Sequence, residues 1–192
     1  MDAAALLRGL LDSYPDFQAP QAQIRVLNLL PTVLANKAGL TQCFSNLLCN
    51  AVKFVPRGQL PRVLIWAEDA PGEVLGPERP SASPAQQAAS SPLSAWHISK
   101  QTAAAAAGST DWPRSGTVRI WFEDNGIGID HEHREKIWVM FQRLDKSYPG
   151  TGIGLALVRK AVERMGGRVG LESEPGRGSR FWIELQRADA SP

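Results

Sequence analysis

The stretch from Ala70 to Gly116 limits what this chain can fold into more than any other feature. It is crowded with Pro, Ser, Ala, Gln and Gly, carries an unbroken alanine run from Ala103 to Ala107, and has no period that would bury a face. A chain of 192 residues that loses such a stretch from its core has room for one well-buried domain and little more. The stretch therefore reads as a mobile insertion between paired strands of a domain spanning 1–187, with 188–192 as a tail or linker. Thr102 and the alanines after it favour a local helix, but so short a run is marginal on its own.

On either side the pattern is periodic. Leu6, Leu7, Leu10 and Leu11 recur at helical spacing, Pro15 and Pro20 break the pattern, and Ile24 to Leu29 reads as a strand. Leu40, Phe44, Leu47, Leu48 and Ala51 trace one face of a long helix that Pro56 and Gly58 end. Arg62 to Trp66 and Val118 to Phe122 are strands flanking the insertion. Then come a glycine-bearing turn, a helix over Glu132 to Phe141, a lid-like segment to Pro149 and a helix over Ile153 to Met165, which Gly166 and Gly167 stop. Strands Arg168 to Glu172 and Arg180 to Leu185 close the chain around the turn Pro175-Gly176-Arg177-Gly178. The predicted class is α/β, a two-layer sandwich of helices on a mixed, largely antiparallel sheet.

Lys and Arg exceed Asp and Glu by only two and form no run, which gives no support to a nucleic-acid partner. No apolar stretch approaches the ~20 residues that span a bilayer, and Met1-Asp2-Ala3-Ala4 does not open a signal peptide. The expectation is a soluble, cytoplasmic domain without membrane contact. Cys43 and Cys49 lie on one helical pattern, about 120° apart around its axis, so they cannot pair. Both read as small buried apolar side chains.

Three polar features carry chemistry. On the helix ending near Val55, Asn46, Asn50 and Lys53 fall within roughly 60° of each other beside the apolar stripe, and Phe54 lies between the two. An Asn oxygen can ligate a hard cation such as Mg²⁺, and a Lys ammonium can meet phosphate oxygens, although the same pattern also suits a solvated helix face. In Glu123-Asp124-Asn125-Gly126-Ile127-Gly128-Ile129, a carboxylate where a buried strand ends is suited to accept a hydrogen bond from an exocyclic amine such as adenine's. Asp-Asn-Gly is also a common turn. In Gly150-Thr151-Gly152-Ile153-Gly154-Leu155, small residues expose backbone N–H groups at a helix N-terminus, a seat for phosphates. The spacing is neither that of a Walker A loop nor that of the dinucleotide fingerprint.

Together, and in this order, these segments resemble the GHKL superfamily of ATPases and kinases, and within it the catalytic, ATP-binding (HATPase_c) domain of sensor histidine kinases. Asn46 to Phe54 looks like the N box, Asp124 to Gly128 the first glycine box, Met140-Phe141-Gln142-Arg143-Leu144 the F box, and Gly150 to Leu155 the second glycine box. The resemblance implies ATP and Mg²⁺ as cofactors, with Asn50 holding the metal, Asn46 and Lys53 on phosphates, and Phe54 lining the adenine pocket. It gives Asp124 the adenine amine, Gly126, Gly128 and Ile129 the walls of that pocket, Gly150, Thr151, Gly152, Ile153, Gly154 and Leu155 the lid hinge, and Arg143 the γ-phosphate.

Hydrolytic members of the superfamily carry a water-activating Glu where this chain has Asn46, and a neutral amide cannot be that base. The resemblance therefore implies γ-phosphate transfer to a histidine on an upstream dimerisation domain absent from this chain, in two-component signalling. The implied partners are that histidine-phosphotransfer domain and a response-regulator receiver domain, with the full-length protein a homodimer and this fragment a monomer. The alternatives are a nucleotide-binding regulatory module without transfer and a GHKL ATPase. His97 sits in the insertion, and His131 and His133 lack the sequence surroundings of an acceptor histidine.

Overall fold

Strands β1 (Gln23–Val26), β2 (Arg62–Asp69), β3 (Thr117–Asp124), β4 (Arg168–Glu174) and β5 (Gly178–Gln186) hydrogen-bond into one sheet in the order β1-β2-β3-β5-β4. A computed structural model describes residues 1–70, 116–144 and 147–188. The insertion read from the sequence falls almost wholly outside these described residues, as does all but the first residue of the tail. β1 runs parallel to β2, and every other pairing is antiparallel, which makes the sheet mixed and largely antiparallel as the patterning predicts.

Alternation along the strands sorts their side chains. Val63, Ile65 and Ala67, then Val118, Ile120 and Phe122, then Phe181, Ile183 and Leu185 are buried on one face. Helices α1 (Ala3–Ser13), α2 (Lys37–Lys53) and α3 (Gly154–Arg164) supply the apolar side chains of the same core. α2 contributes Leu40, Cys43, Phe44, Leu47, Leu48 and Ala51, and the Phe44 ring meets Phe122 edge-on at 5.3 Å. Fully burying each large apolar side chain contributes about 1.5–3 kcal/mol. Both N-terminal helices begin on a side-chain cap: Asp2 accepts from the Ala5 N–H, and Asn36 from the Gly39 N–H. Gly166, with φ of 74°, follows the end of α3 and turns the chain into β4.

The opposite sheet face holds an aromatic row. Trp66, Trp121, Trp182 and Gly170 are cross-strand neighbours on β2, β3, β5 and β4. Trp66 stacks on Trp121 at 5.6 Å, and Trp121 meets Trp182 edge-on. Arg119 lies over both Trp121 and Trp182 while its guanidinium bonds Glu184, and this cover explains a carboxylate buried on that side.

Two expectations need correction. The helix over Glu132 to Phe141 is instead two single 3₁₀ turns, His131–His133 and Lys136–Trp138. Val139 turns extended, and Phe141 adopts a left-handed φ of 66° and donates its N–H to the Gly152 carbonyl, so no helical ladder can continue. Cys43 is fully buried as expected, but Cys49 is exposed, because six residues carry it off the apolar stripe.

Candidate functional site

The last two turns of α2 carry Asn46, Asn50 and Lys53, each half-buried at the edge of the core. The amide Nδ2 of Asn46 donates to the Gln42 carbonyl at 2.9 Å, which fixes the side chain along its own helix. The loop from Gly150 to Gly154 then lies against this ridge. A Cβ on Gly154 would sit 3.0 Å from Asn46 Oδ1, and one on Gly150 would sit 3.1 Å from Lys53 Nζ. The missing side chains therefore let the start of α3 and the loop before it approach the amide and the ammonium.

α2 ends at Lys53, so Phe54 caps the helix rather than continuing it. The Phe54 ring lies 4.2 Å below Lys53 Nζ and 5.2 Å from the Tyr148 ring. The Phe54 carbonyl accepts the Ile127 N–H at 2.8 Å, and a Cβ on Gly126 would press on that carbonyl at 2.5 Å. By these contacts the loop after β3 is fastened to the end of α2. The first glycine segment, the α2 ridge and the second glycine segment are thus one continuous surface.

Asp124 is the last residue of β3. Its Oδ1 accepts the Gly126 N–H at 2.8 Å and the Ser179 N–H at 3.2 Å. Burial of its carboxyl group outweighs these bonds and pushes its pKa up to about 7. Lys53 is lowered from the usual lysine range, chiefly by burial and further by the positive charge of Arg143, with Cys49 opposing. An ammonium disfavoured by burial beside a guanidinium is a place where added negative charge is favourable. Arg143 is exposed, and its Nη2 donates to the Tyr148 carbonyl at 2.8 Å.

Of the remaining predicted residues, Gly128 and Ile129 lie on the far side of the Asp124 loop, against the turn between β4 and β5. Ile129 donates its N–H to Ser173 Oγ, and a Cβ on Gly128 would run into the Glu174 carbonyl. Thr151 is exposed, Gly152 and Ile153 are half-buried, and Leu155 packs on the core from the first turn of α3. Three contributors were not singled out from the sequence. Ser179 holds Asp124 through its backbone, Ser173 bonds Ser179 Oγ at 2.9 Å, and Tyr148 meets Phe54. The sequence signal for the serines is Gly178, the one residue type that lets β5 start directly on the Asp124 carbonyl.

Comparisons with known proteins find relatives of this chain. The family model described as histidine kinase-, DNA gyrase B- and HSP90-like ATPase matches residues 97–189. The sensor histidine kinase AruS of Pseudomonas aeruginosa is 44% identical over 81 residues, covering 40% of this chain and 8% of that protein. The phytochrome-like protein Cph1 of Synechocystis is 31% identical over 158 residues, covering 81% of this chain and 15% of that protein, a span long enough to include α2. The chain thus spans a small fraction of these curated relatives. Among solved structures, full-length ShkA in complex with AMPPNP superposes with a TM-score of 0.64 at 27% identity, over 100% of this chain and 31% of that one. The chain belongs to the GHKL superfamily, as a catalytic and ATP-binding domain of the sensor histidine kinase type.

Proposed function

We propose that this domain binds Mg-ATP between the α2 ridge and the two glycine segments, and passes the γ-phosphate to a histidine on a partner dimerisation domain. One observation carries the reading: Lys53 and Asn46 lie against Gly150 and Gly154, so closely that a Cβ on either glycine would meet the ammonium at 3.1 Å or the amide oxygen at 3.0 Å. Those same residues fit a triphosphate, since Lys53 and Arg143 supply positive charge and the start of α3 supplies backbone N–H groups. Asp124 takes the base amine, Phe54 flanks the ring, and Gly126, Gly128 and Ile129 shape the loop around it. Asn50, on the same α2 ridge, would hold Mg²⁺ through its side-chain oxygen. Bound there, Mg²⁺ neutralises charge on the phosphate oxygens.

Transfer forms a phosphorus–nitrogen bond to the histidine as the bond from the γ-phosphorus to the bridging oxygen of ADP breaks. The protein's part is positioning and charge neutralisation. Asn46 offers no carboxylate to activate water, and this favours a side-chain acceptor over hydrolysis. A response-regulator receiver domain is the onward partner, and a homodimer is the state of the longer protein. Joining the domain to its helical hairpin and adding Mg-ATP should yield an acid-labile, base-stable phosphate on the hairpin. Intact nucleotide binding with no such product would refute transfer and leave a binding module.

A further inference from the structure

Between Val139 and Thr151, Tyr148 is the only described residue that is not exposed. Its ring lies 5.2 Å from that of Phe54, at 56°, and its hydroxyl donates to the Val55 carbonyl at 3.2 Å. Its own carbonyl is held by Arg143. Two residues on, Gly150 rests against Lys53 Nζ, and that ammonium in turn sits 4.2 Å over the Phe54 ring. One short segment thus lies across Lys53, Phe54 and Val55, the three residues where α2 ends. The apolar side chains nearby, Val139, Met140, Phe141 and Leu144, are exposed.

We infer that Tyr148 is a self-occluding residue of the nucleotide site: its ring occupies the Phe54 surface that a purine base needs, and a nucleotide must displace it. The inference rests on the reading of this site as a nucleotide pocket. An aromatic ring on Phe54 and a purine on Phe54 use the same apolar, polarisable face, so they compete. The Val55 hydrogen bond adds to the hold of the occluded form. A site that is open for only a fraction of the time binds with an affinity reduced by that fraction. Occupancy by nucleotide therefore releases the Tyr148 ring from Phe54 and its hydroxyl from the Val55 carbonyl.

The test uses this chain, with Tyr148→Ala and Tyr148→Phe, and Mg-ADP as the probe in calorimetry. Tyr148→Ala should tighten Kd by about 3- to 10-fold, and Tyr148→Phe, which keeps the ring but loses the hydroxyl, should fall between it and the wild type. Tyr14 and Tyr148 are the two tyrosines, so fluorotyrosine labelling gives two ¹⁹F resonances, and Tyr148→Phe assigns them. Saturating Mg-ADP should move the Tyr148 resonance and leave that of Tyr14 in place. Equal or weaker binding by Tyr148→Ala, or a Tyr148 resonance unmoved at saturation, would overturn the inference alone. Folded wild type and Tyr148→Ala that both fail to bind Mg-ADP would overturn the nucleotide reading, and this inference with it.

Discussion

Replacing Asp124 by Asn separates the two jobs this carboxylate holds. Oδ1 already serves the Gly126 and Ser179 N–H groups, and an amide oxygen serves them equally well. The other oxygen is the one proposed for the base amine, and an NH₂ there meets donor with donor. Tm should therefore not fall, while affinity for Mg-ADP drops by about 30- to 1,000-fold, or about 2–4 kcal/mol. Discrimination between adenine and 6-oxopurine nucleotides should disappear with it, because that selectivity comes from leaving a buried acceptor unpaired.

The pH dependence has a definite sign. Asp124 binds its proton more tightly folded than unfolded, with a pKa near 7 against 3.8. The folded state thus carries more protons between those values, and wild-type stability falls as pH rises through that window, by at most about 4 kcal/mol. Nucleotide affinity runs the other way, since the amine needs the ionised carboxylate, and rises toward pH 7 before levelling. Calorimetry and thermal unfolding from pH 5.5 to 8.5 on both proteins would measure each trend, and Asp124→Asn should flatten both. Wild-type ADP affinity in Asp124→Asn would refute the assigned contact.

Three further perturbations test the rest of the site. Asn46→Glu restores a carboxylate where hydrolytic relatives carry one, and steady phosphate release from ATP should rise by about 10-fold or more over wild type; no rise with nucleotide binding intact would detach Asn46 from the choice of acceptor. Gly152 has φ of 72°, and a Cβ there would lie 2.6 Å from the Gln142 carbonyl; Gly152→Ala should weaken Mg-ADP binding about 10-fold in calorimetry with little change in Tm, since the strain falls on an exposed segment. Iodoacetamide at pH 8 should modify Cys49 in the native protein and reach Cys43 only on unfolding, because burial pushes the Cys43 thiol up to about 12; mass spectrometry reads both sites.

Much of the fold is legible in the chain because burial obeys simple periods. Leu40, Phe44, Leu47, Leu48 and Ala51 are apolar at helical spacing and all five are buried in α2; Val118, Ile120 and Phe122 alternate and all face the core. The segment from Glu132 to Phe141 misleads because apolar residues at near-helical spacing say nothing about the left-handed turn at Phe141, which a contact with Gly152 imposes. The tryptophan row is equally hidden. Trp66, Trp121 and Trp182 are far apart in sequence and become neighbours only through the register of three strands.

The candidate site follows a different logic, which is why most of it can be read without the fold. Phe54 follows α2, Asp124 ends β3, and Gly154 begins α3, so the proposed ligand contacts outside the α2 ridge lie where regular hydrogen bonding stops. At such ends backbone groups lack partners within their own element, and capping residues, glycines and carboxylates must take up the difference. A sequence reveals those departures from periodicity directly, as Asp-Asn-Gly after a strand or Gly-Thr-Gly-Ile-Gly before a helix. Tyr148 breaks no period and caps nothing. It bears on the site through a contact made across 93 positions of sequence, which the chain's own pattern cannot encode. Residues that hold a ligand can thus be found from local pattern, whereas a residue that stands in a ligand's place emerges only from tertiary contact. Comparing Tyr148→Ala with Asp124→Asn turns that distinction into measurement: the first should strengthen binding and the second weaken it, at the same pocket.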